Sequence, residues 1–101
     1  MKTVTSETYK AEFNNNTYNL LKIGSTWCGP CKVVSNLLKH IQTDFPIYEM
    51  DADLNMDFCN QYQITNIPVI AIFDNNGNIV ERFNKALTKE EIEQLIAKYS
   101  K

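Results

Sequence analysis

The sequence is poor in the residues that punctuate and cross-link a chain. Glycine, proline and cysteine occur three times each in 101 residues, with one tryptophan and one histidine. Three cysteines are too few and too uneven for a disulfide scaffold. Neither sign of charge dominates: 10 basic against 12 acidic residues give a formal net charge of -2. A generic nucleic-acid binder shows a basic face instead, so no nucleic-acid partner is expected. No apolar run is long enough to span a membrane. The amino end, "MKTVTSETYK", lacks the apolar segment of a secretory leader. With Met1 in place, the expectation is a cytoplasmic protein that stays off membranes. Without that route, the acceptor-like triplet from Asn15 to Thr17 reads as loop chemistry rather than a glycosylation site. Repeats, linkers and low-complexity stretches are also missing. Residues 1–101 therefore read as one domain, 44% hydrophobic, able to bury a single modest core. A monomer is expected.

What is present is a dense series of short elements. Lys2 to Thr5 fits a short first strand, and Ser6 is placed to cap a helix carrying Tyr9 and Phe13 on one face. "YNLLKIGS" is apolar on both faces and reads as a buried strand. Pro30 falls where a helix tolerates proline, in its first turn. Val33, Val34, Leu37, Leu38 and Ile41 continue that helix as an apolar stripe until Pro46 stops it. "IYEMDAD" is a second buried strand, and "NMDFCNQYQ" a short helix or turn. "VIAIF" and Ile79 to Phe83 read as a hairpin about Asn76-Gly77, where both residues tolerate positive φ. Thr88 with Glu91 forms a capping box ahead of Ile92, Leu95, Ile96 and Tyr99. The order β-α-β-α-β-α-β-β-α predicts an α/β fold: a mixed sheet covered by helices on both faces.

The chemistry concentrates in "GSTWCGPCK", Gly24 to Lys32. Cys28 and Cys31 are spaced so that both fall in one helical turn. Disulfide exchange needs an attacking thiolate and a second thiol close enough to resolve the mixed disulfide. A helix start supplies unpaired N–H groups and a dipole that favour negative charge on the first sulfur. Cys28 is therefore assigned as an exposed nucleophile and Cys31 as the resolving thiol, with Trp27 as a flat apolar wall beside them. A structural zinc pair would need about four ligands. Only Cys59 and His40 remain, and neither completes a second close pair. A purely structural bridge closing so short a loop constrains little of the unfolded chain. Both readings rank below exchange, and no bound metal or cofactor is expected beyond the redox-active Cys28–Cys31 disulfide. Cys59 reads as a small buried hydrophobe, and His40 is given no role.

"WCGPCK" after a buried strand, followed by "IPV" at Ile67 to Val69 before the next strand, resembles the thioredoxin family over nearly the whole chain. The resemblance implies the thioredoxin fold: a three-layer sandwich with a central mixed five-stranded sheet flanked by four helices. It implies a thiol–disulfide oxidoreductase, with the Gly-Pro pair resembling the reducing members. Pro68 should then be cis and face the disulfide. Trp27, Gly29, Pro30, Ile67 and Pro68 would form the surface that receives a partner's disulfide, with the Ile67 backbone available to pair with an extended substrate. The partners implied are disulfide-containing proteins and a thioredoxin reductase.

Two features depart from that family. Its members usually carry a buried aspartate six positions before the first cysteine, where this chain has Lys22. They often carry a lysine on the neighbouring strand, where this chain has Glu49. Alternation puts both on faces that meet if the strands are neighbours. A lysine inside a strand is costly to bury alone and tolerable when paired, so a swapped charge pair is favoured over a snorkelling Lys22 beside an exposed Glu49. In that reading Glu49 is the base for Cys31, and Lys22 steadies a nearby thiolate. The second departure is Lys85, where the family commonly has glycine beside the docking groove. It favours acidic partners or is simply solvated.

Two other functions compete. One is a binding or accessory subunit on the same fold, in which the dithiol matters little. The other is a dedicated reductant of a single peroxidase or reductase system. The intact sulfur pair speaks against the first, since packing alone demands neither thiol.

Overall fold

Residues 19–24, which alternate between two apolar faces, become the middle of the sheet. The computed structural model describes residues 1–100. In chain order its elements are β1 (Lys2–Thr3), α1 (Tyr9–Glu12), β2 (Asn19–Gly24), α2 (Gly29–His40) and β3 (Ile47–Asp51). They continue with α3 (Met56–Gln61), β4 (Val69–Phe73), β5 (Ile79–Phe83) and α4 (Lys89–Tyr99). The five strands lie in the order β1-β3-β2-β4-β5. β1 and β2 both run parallel to β3, while β4 runs antiparallel to its neighbours β2 and β5. This is the mixed sheet with four helices that the thioredoxin fold requires.

Strand alternation divides the core in two. Leu21, Ile23, Val69, Ala71 and Phe73 face α1 and α3, where they pack with Tyr9, Phe13, Phe58 and Met50. Leu20, Ile70 and Ile72 face α2 and α4, where they meet Val34, Leu38, Ile92, Leu95 and Ile96. The first core is aromatic: the Tyr9 and Phe58 rings meet edge to face at 5.1 Å, and Phe13 lies 5.2 Å from Phe73. Phe58 and Phe73 are among the largest fully buried side chains, and truncating either to alanine would cost about 3–5 kcal/mol.

Local chemistry departs from the sequence expectation in four places. Ser6 does not cap α1: Thr8 holds the N-cap position and makes no side-chain cap. Its hydroxyl instead accepts the Thr5 N–H at 2.8 Å, folding the chain back before the helix. α2 ends at His40, well before Pro46, because Ile41 turns extended with φ -78° and ψ 123°. Val33 is exposed, since the stripe buried against the sheet is Cys31, Val34 and Leu38. In the β4–β5 connection only Gly77 has positive φ, at 83°. Asp74 organises that turn, its Oδ1 accepting the N–H groups of Asn76 and Asn78 at 2.9 Å each. Thr88 and Glu91 do form the capping box at α4.

Candidate active site

β2 delivers the chain to the end of the sheet at Gly24. Ser25, Thr26 and Trp27 then carry it to the start of α2. Cys28 is the N-cap of that helix: its backbone is extended and its Sγ accepts the Cys31 N–H at 3.2 Å. Pro30 sits in the first turn, where a missing N–H costs nothing. Cys28 and Cys31 are joined as a disulfide, with Cα atoms 5.2 Å apart.

The two sulfurs are not equivalent. Cys31 is fully buried, whereas Cys28 keeps 7% of its surface exposed. The exposed nucleophile expected from the sequence is therefore corrected to one reached through a narrow window. The reason is local: the sulfur folds back over its own helix end to accept the Cys31 N–H. Trp27, 70% exposed, stands beside that window. Its indole N–H donates to Asp53 Oδ2 at 2.7 Å, which fixes a large apolar face toward solvent. The Ile67–Pro68 peptide bond is cis. Pro68 is buried and Ile67 half-buried at the entry to β4.

Lys22 and Glu49 are neighbours in register across β2 and β3. Their side chains nevertheless form no ion pair, and the expected direct pair is corrected. Lys22 donates from Nζ to Ser35 Oγ at 2.7 Å, and Glu49 Oε1 accepts from the Thr3 hydroxyl at 3.4 Å. Lys22 does not snorkel either, for only 6% of it is exposed. Its reach toward α2 is set by its place on the Leu20 side of the sheet. Burial holds its pKa below the ordinary lysine value, partly offset by attraction to Glu49 and Asp51. A Cβ placed on Gly24 would lie 2.9 Å from Cys31 Sγ and 2.9 Å from Lys22 Nζ. The sulfur and the amine are thus separated by no more than twice that distance.

Beneath this cluster lies a cavity of about 550 Å³, lined among others by Lys22, Ser25, Ser35, Lys39, Glu49 and Asp51. The Ser25 hydroxyl is buried there without a protein partner. The space is large and polar enough to admit water.

The remaining candidates lie apart. Cys59 is buried in the aromatic core on the other side of the sheet, and burial pushes its thiol pKa up. His40 is exposed, its Nδ1 2.8 Å from the Asn36 carbonyl. Lys85 Nζ lies 3.6 Å from a Glu91 carboxylate oxygen at the surface. Among the described residues no three His, Cys, Asp or Glu side chains cluster as a metal site. Nor is any helix there long and apolar enough to cross a membrane. Sequence reasoning missed Ser35, Asp53 and the tight fit at Gly24. Only Ser35 carried a signal: it falls one turn after Cys31, on the same helical face.

Comparison with known proteins adds an independent line. The thioredoxin family profile matches residues 1–98. Thioredoxin of Listeria monocytogenes is 31% identical over 103 residues, covering 98% of each chain. Among solved structures, a mutant thioredoxin from Halobacterium salinarum superimposes with a TM-score of 0.87 at 21% identity, covering 99% of this chain and 92% of that one. Fasciola hepatica thioredoxin gives 0.84 at 20% identity, covering 98% and 99%. At such identities the two structures speak for the fold.

Proposed function

The chain belongs to the thioredoxin family and is a dithiol–disulfide oxidoreductase, and we propose that it works in the reducing direction on protein disulfides. The observation that carries the reading is the asymmetry of the sulfur pair at the start of α2. Cys28 has access to solvent and an N–H directed at it, and Cys31 has burial.

In the reduced protein the Cys28 thiolate attacks one sulfur of a partner disulfide. A Cys28–partner bond forms, the partner's own S–S bond breaks, and the released sulfur leaves as a thiolate that takes a proton from solvent. The Cys31 thiolate then attacks Cys28 Sγ. The internal disulfide forms, and the second partner sulfur departs with the electron pair and is protonated. The partner gains two electrons and the protein is oxidised. A separate reductase, the thioredoxin reductase of the resemblance, restores the dithiol.

Trp27, Gly29, Pro30, Ile67 and Pro68 form the receiving surface in this reading. The exposed indole and half-buried Ile67 offer apolar contact, and the backbone before a cis proline is open to pairing with an extended segment. No cofactor need be held by this chain. A monomer in the cytoplasm suits the activity, with neither a nucleic acid nor a membrane as partner.

The test is turnover of insulin disulfides with a chemical reductant as electron source. Cys28→Ser abolishes reduction. Cys31→Ser also stops turnover, and accumulates a mixed disulfide at Cys28. An intact protein that reduces insulin no faster than the chemical reductant alone, and no faster than either variant, would leave the fold as a binding subunit instead. Capturing the Cys31→Ser adducts separates a general reductant, with many partners, from one dedicated to a single peroxidase or reductase.

A further inference from the structure

Lys22 is a buried cation with no carboxylate within 4 Å among the described residues. Its one hydrogen bond runs to the Ser35 hydroxyl, a neutral group. Buried charges are normally paired, because leaving one alone forfeits its hydration without return. One group beside it that chemistry can turn into an anion is Cys31, whose Sγ shares the space over Gly24 with the lysine nitrogen. In the oxidised protein that sulfur is neutral. During turnover it must become a thiolate.

We propose that Lys22 is a positioning residue for the resolving step, its ammonium serving as counter-ion to the Cys31 thiolate, so that this step needs no carboxylate base. The proposal rests on the exchange mechanism above. The Cys31 proton leaves to water in the adjoining cavity, and the sulfur it vacates is held beside a fixed positive charge. Should Lys22 be neutral at high pH, its amine takes the proton instead and arrives at the same ion pair. The Cys31–Cys28 bond then forms and the partner sulfur leaves, with no further reactant.

The other charges around Lys22 set the sign of the test. From β3, Glu49 and Asp51 attract the ammonium, and a negative charge there also opposes a thiolate on Cys31. From α2, Lys39 repels the ammonium, and Lys32 lines the same cavity. β1 contributes Thr3, and β4 offers apolar Ile70 opposite Lys22. Two opposed readings of the site therefore predict opposite effects of Glu49. As a general base, its loss slows resolution. As a bystander that weakens the cation's field, its loss leaves resolution unchanged or favours it at lower pH.

The experiment loads Cys28 with thionitrobenzoate as a mixed disulfide and follows release of the coloured thiol across pH by stopped flow. Lys22→Met slows release at neutral pH by about tenfold and moves the acid limb of the profile up by about one pH unit, the size of a close opposite charge. Lys22→Arg keeps both within about twofold. Glu49→Gln leaves the limb in place or moves it down. Lys22→Met also makes the protein a weaker oxidant, because the reduced form loses its stabilised thiolate. Lys22→Gln repeats the comparison if the methionine variant fails to fold. A limb indifferent to both neutral substitutions overturns the proposal, as does a Glu49→Gln variant as slow as Lys22→Met. If Cys28 forms no mixed disulfide at all, the exchange mechanism itself fails. Formation with a Lys22-independent profile removes only the role given to Lys22.

Discussion

Trp27 in the turn between β2 and α2 and Asp53 in the loop after β3 are tied by a 2.7 Å hydrogen bond from the indole N–H to Oδ2. The bond holds a side chain that is 70% exposed in one orientation beside the Cys28 window. An apolar group fixed in advance binds a partner at lower entropic cost than one ordered on contact.

Asp53→Ala should therefore weaken substrate docking more than it slows chemistry. A hydrogen bond to a charged group contributes about 1.5–3 kcal/mol when sheltered, and this one is open to water. A rise in KM for insulin of about three- to tenfold is expected, with kcat little changed. Trp27 is the only tryptophan, so its fluorescence anisotropy should fall in the variant. Unchanged KM together with unchanged anisotropy would show that the bond orients nothing.

How much of this was legible in the sequence depends on distance along the chain. β4, β5, the capping box and the Cys-x-x-Cys helix start rest on patterns of a few residues, and these could be read directly. Lys22 could be placed beside Glu49 by counting, and the strand register bears out that adjacency. The direction of the Lys22 side chain could not be counted, because it depends on α2 passing over the sheet and offering Ser35. The Trp27–Asp53 bond joins residues 26 positions apart through a loop with no pattern of its own. Ser6 and Thr8 are both acceptable caps, and only the backbone path chooses between them.

Gln63 is the one non-glycine residue with positive φ among the described residues, at 53°. It closes α3: the Ile64 N–H donates to the Cys59 carbonyl at 2.8 Å, and the Gln63 N–H to the Asn60 carbonyl at 3.3 Å. This pattern usually takes glycine. Arg82 braces it by donating to the Tyr62 and Gln63 carbonyls. Relief of about 1–2 kcal/mol of left-handed strain exceeds the backbone entropy cost of glycine, about 0.5–1 kcal/mol. Gln63→Gly should thus stabilise the fold by about 0.5–1 kcal/mol in urea unfolding, with unchanged insulin reduction. A loss of stability would mean that the Gln63 side chain makes a contribution larger than its strain.

Glu81 on β5 accepts from the Tyr99 hydroxyl at 2.5 Å and from Lys98 Nζ at 3.0 Å. The Tyr99 hydrogen bond, then the one from Lys98, holds its carboxyl below the ordinary value of 4.5. A depressed carboxyl stabilises the fold above that value, and the contribution fades as pH falls through the lower, folded-state value. The melting temperature should drop on acidification below about pH 4.5, and Glu81→Gln should show a shallower drop. Parallel curves for the two proteins would remove Glu81 from the acid response. Tyr99 also meets the Tyr18 ring edge-on at 4.9 Å, so Tyr99→Phe keeps the packing and should shrink the slope without abolishing it.

Gly24 sits where β2, α2 and the Lys22 side chain converge. An alanine Cβ there would stand 2.9 Å from Cys31 Cβ, Cys31 Sγ and Lys22 Nζ at once. The lysine nitrogen ends a flexible chain and can move, at the expense of its bond to Ser35. Cys31 Cβ cannot, since α2 fixes it. Overpacking of this kind costs about 1–3 kcal/mol. The two redox states should not suffer equally. In the disulfide both Cβ and Sγ of Cys31 are pinned, whereas in the dithiol the sulfur can rotate away. Gly24→Ala should therefore destabilise the oxidised protein more than the reduced one. By linkage it should become the stronger oxidant in equilibrium with a dithiol buffer. Unfolding curves with and without reductant test the first statement, and the redox equilibrium tests the second. Equal losses in both states would mean that β2 shifts as a whole to admit the methyl group, and that the contact over Gly24 does not hold the sulfur in place.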